Sequence, residues 1–453
     1  MAIDSRKIEI FEKETVPKAV AKLAIPTMVS SIVMVLYSLA DTFFVGMLND
    51  AIATSAVTLA SPVILMFNAV TNLFGVGASS EMSRALGAKK YETVKRTSTF
   101  GIYCGVIAGL IFSLMATFFK GGLLNILGAD ELTYSQTAKY LFWTVTLGAI
   151  PSITNVIFSN VFRGEGSVMH ASVGVMLGCL LNIILDPIFI LPWGLNMGAA
   201  GAGCATLISN SVACLYFLIL LVIKGKNTFV SINPCDFKPD KEIVSEVFGV
   251  GVPASIQNIL NVAGSTVLNN IAAGYGPEAV SAIGITHKIA LIPLYFSMGG
   301  GQGIMPLIGY NYAALNKDRM KQVIRFSEKV LVGFMSVACV LMVINSRNLV
   351  ALFMKNELIV EYGSKFLIGF SLAAPFLAFD FLAVAIFQAC GMGKTSLTFA
   401  IARKVLLEIP AIIILNKIFG MYGMAYGQLV AEVTLAICAY FVLEKIMKED
   451  IQA

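Results

Sequence analysis

The sequence predicts an all-α membrane protein with twelve transmembrane helices, arranged as two pseudo-symmetric six-helix lobes around a central cavity. Three observations predict this: an excess of apolar residues, their grouping into twelve long blocks, and a pattern that repeats after the midpoint of the chain. Of the 453 residues, 57% are hydrophobic and 13% are charged, whereas a soluble domain is about 45–50% apolar and about 25% charged. This composition excludes an ordinary soluble domain.

The apolar residues form blocks that are each long enough to cross a bilayer as a helix, which takes about 20 residues. We name the blocks spans one to twelve; they lie at 20–48, 51–82, 94–119, 134–162, 168–192, 198–224, 243–273, 278–312, 321–346, 360–390, 395–416 and 421–446. No short apolar segment with a small-residue cleavage site precedes span one, so we expect no cleaved signal peptide. The longer spans are expected to tilt or to project beyond the bilayer.

The positions of lysine and arginine predict the orientation in the membrane. These residues cluster before span one and after spans two, six and eight, at Arg6, Lys7, Lys13, Lys18, Lys22, Arg84, Lys89, Lys90, Lys95, Arg96, Lys224, Lys226, Lys238, Lys241, Lys317, Arg319, Lys321, Arg325 and Lys329. Loops rich in lysine and arginine stay on the cytoplasmic side. Because the number of spans is even, we expect both termini in the cytoplasm, with the chain in the plasma membrane (the bacterial inner membrane).

The second half of the chain repeats the first. Residues 75–94 run parallel to 301–320 without a gap, and each copy begins with a Gly-x-Gly and continues into a cytoplasmic turn. The Pro26 of span one likewise matches Pro253 of span seven. Six spans in each half is the parallel-repeat plan of many transporters. The predicted domains are a first lobe at 1–224, a cytoplasmic linker at 225–242 and a second lobe at 243–453.

Two acids in the first half form the principal candidate site. Asp41 in span one and Asp186 in span five lie at similar depth, and their half offers no basic residue at that depth. Two such carboxylates should not both stay ionised, so they share a proton, bind a cation such as sodium, or bind a cationic ligand. Tyr37 and Asn182 each precede one of the acids by one helical turn, and Thr206 in span six adds a hydroxyl. The alternative is that Asp41 caps backbone groups and that Asp186 marks a helix irregularity.

A hinge and a second set of polar residues complete the candidates. Pro26 removes a helix hydrogen bond in span one and is predicted to act as a hinge. In the second half, acids and bases occur together, and Lys404 shares a helix face with Glu408. Lys288 and Arg403 could offset Asp380 and Glu408, either as a structural ion-pair network or in direct function. The secondary candidates are Asp380, Glu408, Lys288, Arg403 and Asn269.

Other classes of function find no support in the sequence. The eight cysteines form no CxxC pair, and the two histidines lie far apart. The net charge of +5 is explained by the basic loops. We therefore expect no catalytic residues, no cofactor, no nucleic-acid partner and no metal beyond a candidate sodium at Asp41, Asn182 and Asp186.

An ordered set of motifs resembles the multidrug and toxic compound extrusion (MATE) family over nearly the whole chain. The motifs are Ala24-Ile25-Pro26, Leu39-Ala40-Asp41-Thr42-Phe43-Phe44-Val45-Gly46, Phe162-Arg163-Gly164-Glu165-Gly166, Asn182-Ile183-Ile184-Leu185-Asp186-Pro187, and Pro306 with Gly309-Tyr310-Asn311-Tyr312. The resemblance implies a V-shaped pair of six-helix lobes that exports drugs or metabolites against an inward flow of protons or sodium. It places the first-helix acid of the branch with an acidic first lobe, whose prokaryotic members are called DinF-like, on Asp41.

The same branch places its fifth-helix Asn and Asp on Asn182 and Asp186. Another bacterial branch has a carboxylate in helix seven, where this chain carries amides at Gln257, Asn258, Asn261, Asn269 and Asn270. Asn269 stands five residues before Gly274, as Asp41 stands five before Gly46. This departure favours the first lobe as the site of ion coupling.

The leading functional hypothesis is an ion-coupled antiporter that exports bulky, often cationic, organic molecules and acts as a monomer in the lipid bilayer, without enzymatic activity. A flippase for a lipid-linked or amphipathic substrate is the alternative, with Lys288 and Arg403 as the bases for an anionic headgroup. A third hypothesis, an intramembrane protease with Asp41 and Asp186 as its dyad, leaves the duplication unexplained, and the chain lacks the Gly-x-Gly-Asp of such enzymes.

Overall fold

The structure is a computed structural model that describes residues 5–48 and 50–448. Within these ranges all regular structure is helical. The first half contains Val16–Gly46 (span one), Ala51–Thr71 with Asn72–Val76 and Gly77–Gly87 (span two), Tyr91–Phe118 (span three), Tyr134–Leu141 with Phe142–Leu147 and Ala149–Gly164 (span four), Val168–Ile190 (span five) and Ala199–Lys224 (span six). Short helices at Ser5–Glu12 and Lys120–Ile126 flank these spans.

The second half follows the same order. It contains Lys241–Ala273 (span seven), Pro277–Ala313 (span eight), Lys317–Ile344 (span nine), Glu357–Ala389 (span ten), Gly393–Ile401 with Ala402–Glu408 and Ile409–Phe419 (span eleven) and, after the 3-10 turns of Gly420–Tyr426, Gly427–Lys448 (span twelve). A short helix at Ser346–Ala351 lies between spans nine and ten, and 3-10 turns at Gly225–Asn227 and Pro234–Asp236 lie in the predicted linker. Every predicted span is thus helical, with ends within a few residues of the predicted ones.

Not all the spans are equally apolar. In the described ranges, nine helices are long and apolar enough to cross a membrane, and a tenth is added if the two parts of span four, Tyr134–Leu147 and Ala149–Gly164, count as one span bent by 50°. Gly148 stands at that bend, where a Cβ would lie 2.6 Å from the carbonyl oxygen of Thr144. Spans eleven and twelve lie outside the nine; span eleven carries charged residues and its middle is a π-helical turn, and span twelve contains Glu432.

The chain divides into two compact units, which differ from the predicted lobes in two segments. The first unit comprises 1–13 and 29–255, and the second comprises 14–28 and 256–453. The predicted linker and the start of span seven therefore pack with the first unit. The first half of span one packs with the second unit.

Glycines of the repeated Gly-x-Gly motif explain how the start of span seven packs on span two and how the start of span one packs on span eight. A Cβ on Gly77 in span two would lie 2.2 Å from the carbonyl oxygen of Val247 in span seven. A Cβ on Gly303 in span eight would lie 2.6 Å from the carbonyl oxygen of Leu23 in span one. Because only a residue without a Cβ permits such close backbone contact, each copy of the motif provides a seat for the start of a helix from the other half of the sequence.

The predicted linker is fixed to the first unit by a buried acid. Glu165, at the turn after span four, accepts hydrogen bonds from Thr228 Oγ1 and from the backbone N–H of Phe229, both at 2.8 Å. The ring of Phe229 stacks on Tyr91 with 5.4 Å between centroids. A charged acceptor that is satisfied by several donors holds a segment firmly, so this segment is part of the first unit.

Candidate functional site

The acids predicted from the sequence meet within the first unit. Asp186 is 0% exposed and Asn182 is 2% exposed, both on the inward face of span five, while Asp41 in span one is partly buried. The helical spacing explains the arrangement, since residues four apart lie on one face of a helix. The prediction that span five presents an amide and an acid together is therefore met by the geometry.

Asn182 links Asp186 to span six. Its carboxamide fits its neighbours when the nitrogen donates to Asp186 Oδ2 at 2.9 Å and the oxygen accepts from the backbone N–H of Thr206 at 3.1 Å. The hydroxyl of Thr206 donates to the carbonyl oxygen of Ala202 at 2.9 Å. A donor aimed at the carboxyl fixes its orientation, so Asn182 acts as the positioning group for Asp186.

Span one places Tyr37 and Asp41 near Asp186. Asp41 and Asp186 are close enough to act on each other electrostatically, and Tyr37 lies within the same range of both acids. Tyr140 in span four and Cys179 in span five also belong to this group and were not predicted from the sequence. A single tyrosine in an apolar helix is common, so the signal for Tyr140 in the sequence is weak.

In the part of the chain that the structure describes, no lysine or arginine forms an ion pair with Asp41 or Asp186. Two carboxyls, two phenols, an amide and a hydroxyl make a group rich in oxygen. Such a group can share a proton between its acids or surround a small hard cation.

The second unit contains ion pairs inside spans eleven and twelve. Arg403 Nε lies 2.7 Å from Glu432 Oε1, and Lys404 Nζ lies 2.7 Å from Glu408. The predicted contact between Lys404 and Glu408 is present, but the main partner of Arg403 is Glu432 and not an acid of the predicted set. Glu432 was missed although its signal was available, since it is an acid within an apolar span.

The other secondary candidates are not brought into one cluster. Asp380 is buried and lies close enough to Glu432 and Arg403 to interact with them electrostatically. Lys288 and Asn269 are exposed. In the described ranges Lys288 forms no ion pair with Asp380 or Glu408, so its part in offsetting these acids stays a prediction.

Pro26 lies inside the continuous helix Val16–Gly46. The chain passes from the second unit to the first between Met28 and Val29, two residues after this proline. A proline removes one hydrogen bond of the helix. The role of Pro26 as a hinge stays a prediction. A hinge is expected near a point where the chain passes from one unit to the other, and Pro26 lies near such a point.

Known proteins match the chain over nearly its whole length. The relatives include the multidrug export protein MepA of Staphylococcus aureus strain MRSA252, 36% identical over 436 residues that cover 96% of this chain and 94% of the relative. The MepA of Staphylococcus saprophyticus is 33% identical over 434 residues, with the same shares covered, 96% and 94%.

Solved structures share the fold. An outward-facing multidrug resistance MATE family transporter of the MOP superfamily superposes with a TM-score of 0.91 at 24% identity and covers 98% of both chains. A variant of the Vibrio cholerae MATE transporter VcmN gives a TM-score of 0.89 at 21% identity, covering 97% of this chain and 99% of that one. These structures confirm the predicted all-α fold of twelve helices.

The family model MatE matches twice, over residues 26–188 and 253–414. The two matches correspond to the two halves of the sequence and agree with the predicted duplication. Together with the relatives, they cover the acids of the first unit and the charged residues of spans ten and eleven. The protein is therefore a multi-pass membrane protein, and the chain belongs to the MATE family of transporters.

Proposed function

We propose that the protein is an ion-coupled antiporter that exports bulky organic, often cationic, drugs or toxic metabolites by alternating access. The observation that carries the proposal is the pair Asp41 and Asp186, two acids at one site with no basic partner in the described ranges. The relatives named as multidrug export proteins support the substrate class.

In the proposed cycle the acid pair holds either the coupling ion or the charge of the drug. A proton or a sodium ion neutralises the pair, and the carboxyl of Asp186 keeps its position through Asn182. Because two ionised acids repel each other in a medium of low dielectric, neutralisation lets span one come closer to span five. The helix bends at Pro26 and the drug is released outward. Loss of the ion to the cytoplasm restores the charge and completes the cycle.

The proposal includes an orientation and a site of action. Both termini and the segment 225–242 face the cytoplasm, because the basic residues concentrate in that group of loops. The protein acts as a monomer in the plasma membrane of a bacterium. Charge separation across this membrane favours entry of cations, so export of cations needs a source of free energy, which in this proposal is an ion gradient.

The flippase alternative finds less support in the geometry. A headgroup with two phosphates needs several free bases. In the described part of the chain, Arg403 is paired with Glu432 and Lys404 with Glu408, all of them buried. Lys288 alone of the predicted bases is exposed and outside these pairs, and one lysine is a weak site for a pyrophosphate.

The proposal is tested by ethidium transport into inside-out membrane vesicles, with an imposed proton gradient and separately with a sodium gradient. Wild type should accumulate ethidium under at least one gradient, and Asp41→Asn should lose at least about 90% of the gradient-driven rate, a change of about 1.4 kcal/mol or more in the barrier. Asp130→Asn, which alters an exposed acid in a loop, is the matched control and should transport normally.

Either of two results contradicts the proposal. Normal export by Asp41→Asn would remove the acid pair from the mechanism and move attention to Asp380 and Glu432. Failure of wild type under both gradients would leave the lipid-linked substrate as the hypothesis to test.

A further inference from the structure

A chain of polar side chains continues from the acid site into the first unit. Below Thr206 on span six, Asn210 accepts a hydrogen bond from Asn155 Nδ2 of span four at 3.0 Å. The nitrogen of Asn210 donates to Ser152 Oγ, also at 3.0 Å. These contacts join spans four and six through polar atoms inside the unit, and neither the sequence motifs nor the acid pair accounts for them.

Helical spacing aligns the polar side chains of span six and span four along the helix axes, and we call this row of side chains the line. Thr206 and Asn210 are four residues apart on span six, and Asn155 and Ser159 are four residues apart on span four. Each step advances about 6 Å along its helix. The line therefore descends from the acids toward Arg163 near the end of span four, over about 20 Å.

Buried polar atoms along this line have no partner in the protein. Among the described residues, Asn155 Oδ1 and Ser159 Oγ accept or donate no hydrogen bond, although Asn155 is 7% exposed and Ser159 is 1% exposed. The hydroxyls of Thr97 on span three and Ser172 on span five are likewise buried and without a hydrogen-bond partner. Buried polar groups without a protein partner bind ordered water. The two on this line, Asn155 Oδ1 and Ser159 Oγ, indicate water sites one helical turn apart.

We propose that a file of water molecules, positioned by Asn210, Asn155 and Ser159, connects Asp186 with the end of span four and carries the coupling proton to the cytoplasm. The inference rests on the proposed antiport and names the proton as its ion. Each transfer breaks one O–H bond and forms another. At the end of the series the carboxyl of Asp186 has become a carboxylate, and one proton has appeared at the cytoplasmic end.

The amides and hydroxyls are positioning residues in this route. An amide does not give up its own proton at neutral pH, but its oxygen and nitrogen orient the adjacent water. The charge of Arg163 repels protons and metal cations alike, but a proton passes between neighbouring waters by exchange of O–H bonds, whereas a metal cation must itself move along the file. The route is therefore selective for protons by its chemistry.

The test compares variants that remove polarity on the line with variants that remove it elsewhere. Asn155→Leu keeps the number and branching of the side-chain heavy atoms but removes the polar ones, and Asn155→Ser provides a hydroxyl. The controls are Thr154→Val, on the neighbouring residue of span four, and Ser209→Ala, a buried hydroxyl that donates within its own helix at 2.7 Å. All variants are first checked for folding by size-exclusion chromatography and thermal melting in detergent.

Two rates are measured in inside-out vesicles. One is ethidium uptake driven by a proton gradient, and the other is ethidium exchange at equal pH, which needs no net movement of protons. Asn155→Leu should slow the driven uptake at least about tenfold and leave exchange within about twofold. It should also raise the solvent isotope effect in D2O, because proton transfer then limits the rate. Asn155→Ser should recover most of the driven rate, and both controls should resemble wild type.

Several outcomes overturn the route. Normal driven uptake by Asn155→Leu overturns it, and so does an equal loss of uptake and exchange, which marks a structural role. If wild type responds to a sodium gradient and not to a proton gradient, the route fails while the antiport proposal stands.

If wild type responds to neither gradient, the antiport proposal fails and the water file is judged by infrared spectroscopy. The carboxyl band that Asp186→Asn removes should then exchange with D2O more slowly in Asn155→Leu than in wild type. Equal exchange rates overturn the file.

Discussion

At the scale of single residues, the buried charged side chains that the structure describes occur in two environments, one without a basic partner and one within ion pairs. In the first unit, Asp41 and Asp186 have polar neighbours and no base in the described ranges. In the second unit, Arg403 and Glu432 form a buried pair, with Phe381 against the guanidinium at 4.8 Å from the ring centroid. A pair that is already neutral contributes mainly to the structure, whereas an acid without a base must gain a proton or a cation. This contrast supports the proposal that ion coupling takes place in the first unit.

A structural role for the pair of Arg403 and Glu432 makes a specific prediction. Glu432→Gln leaves the guanidinium buried with less compensation, which costs on the order of 3 kcal/mol. We expect the melting temperature in detergent to fall by several degrees, while the ratio of ethidium transport to properly folded protein stays near that of wild type. Glu444→Gln, which removes the surface pair with Lys448 at 3.2 Å, is the control and should melt as wild type does. A loss of coupling in Glu432→Gln with unchanged melting would instead make this residue functional.

At the scale of helices, the repeated Gly-x-Gly determines where the starts of spans one and seven pack. The spacing of Gly77 and Val247 in the first unit resembles that of Gly303 and Leu23 in the second. The close backbone contact beside span seven is extended by Arg84, which lies 2.7 Å from Glu246. A glycine seat and an ion pair on the same two helices hold the start of span seven against span two.

Substitution of Gly77 is expected to destabilise the protein. The methyl group of Gly77→Ala would meet a backbone oxygen that cannot rotate away, so the helix start must move. We expect a lower melting temperature and slower ethidium export. Gly249→Ala in span seven is the matched control, since a Cβ there meets nothing within 4 Å, and alanine is the better helix former. Equal behaviour of the two variants would contradict the role given to the seat.

At the scale of the whole molecule, hydropathy and duplication were sufficient to predict the helices, because a span needs only a long apolar run. Which helix packs on which could not be predicted. The glycines around Gly77 indicate that another backbone comes close, but they do not identify that backbone. The acids Asp41 and Asp186 could be predicted from their depth in the spans, and the helical turn predicted Asn182. Tyr140, Asn155 and Asn210 could not be predicted, since a polar residue within a helix gives no periodic signal that names its neighbour in another helix.

Contacts between residues far apart in the sequence also explain why the predicted domain boundaries differ from the two units of the structure. A polar segment between two apolar runs is typical of a linker, so local composition predicts a linker at 225–242. The hydrogen bonds of Glu165 with Thr228 and Phe229 bind this segment to the first unit, and they join residues more than sixty positions apart. Such contacts depend on the tertiary fold and leave no trace in local composition.

The central claim is that the carboxyls of Asp41 and Asp186 exchange their ion for the drug, and ion release on drug binding tests it most directly. Purified protein in detergent is titrated with ethidium in weakly buffered solution, while a pH dye and a sodium electrode record what is released. The account predicts that wild type releases protons or sodium as ethidium binds, and that Asp41→Asn with Asp186→Asn releases neither. Ethidium binding by wild type without release of either ion, or equal release by the double variant, would contradict it.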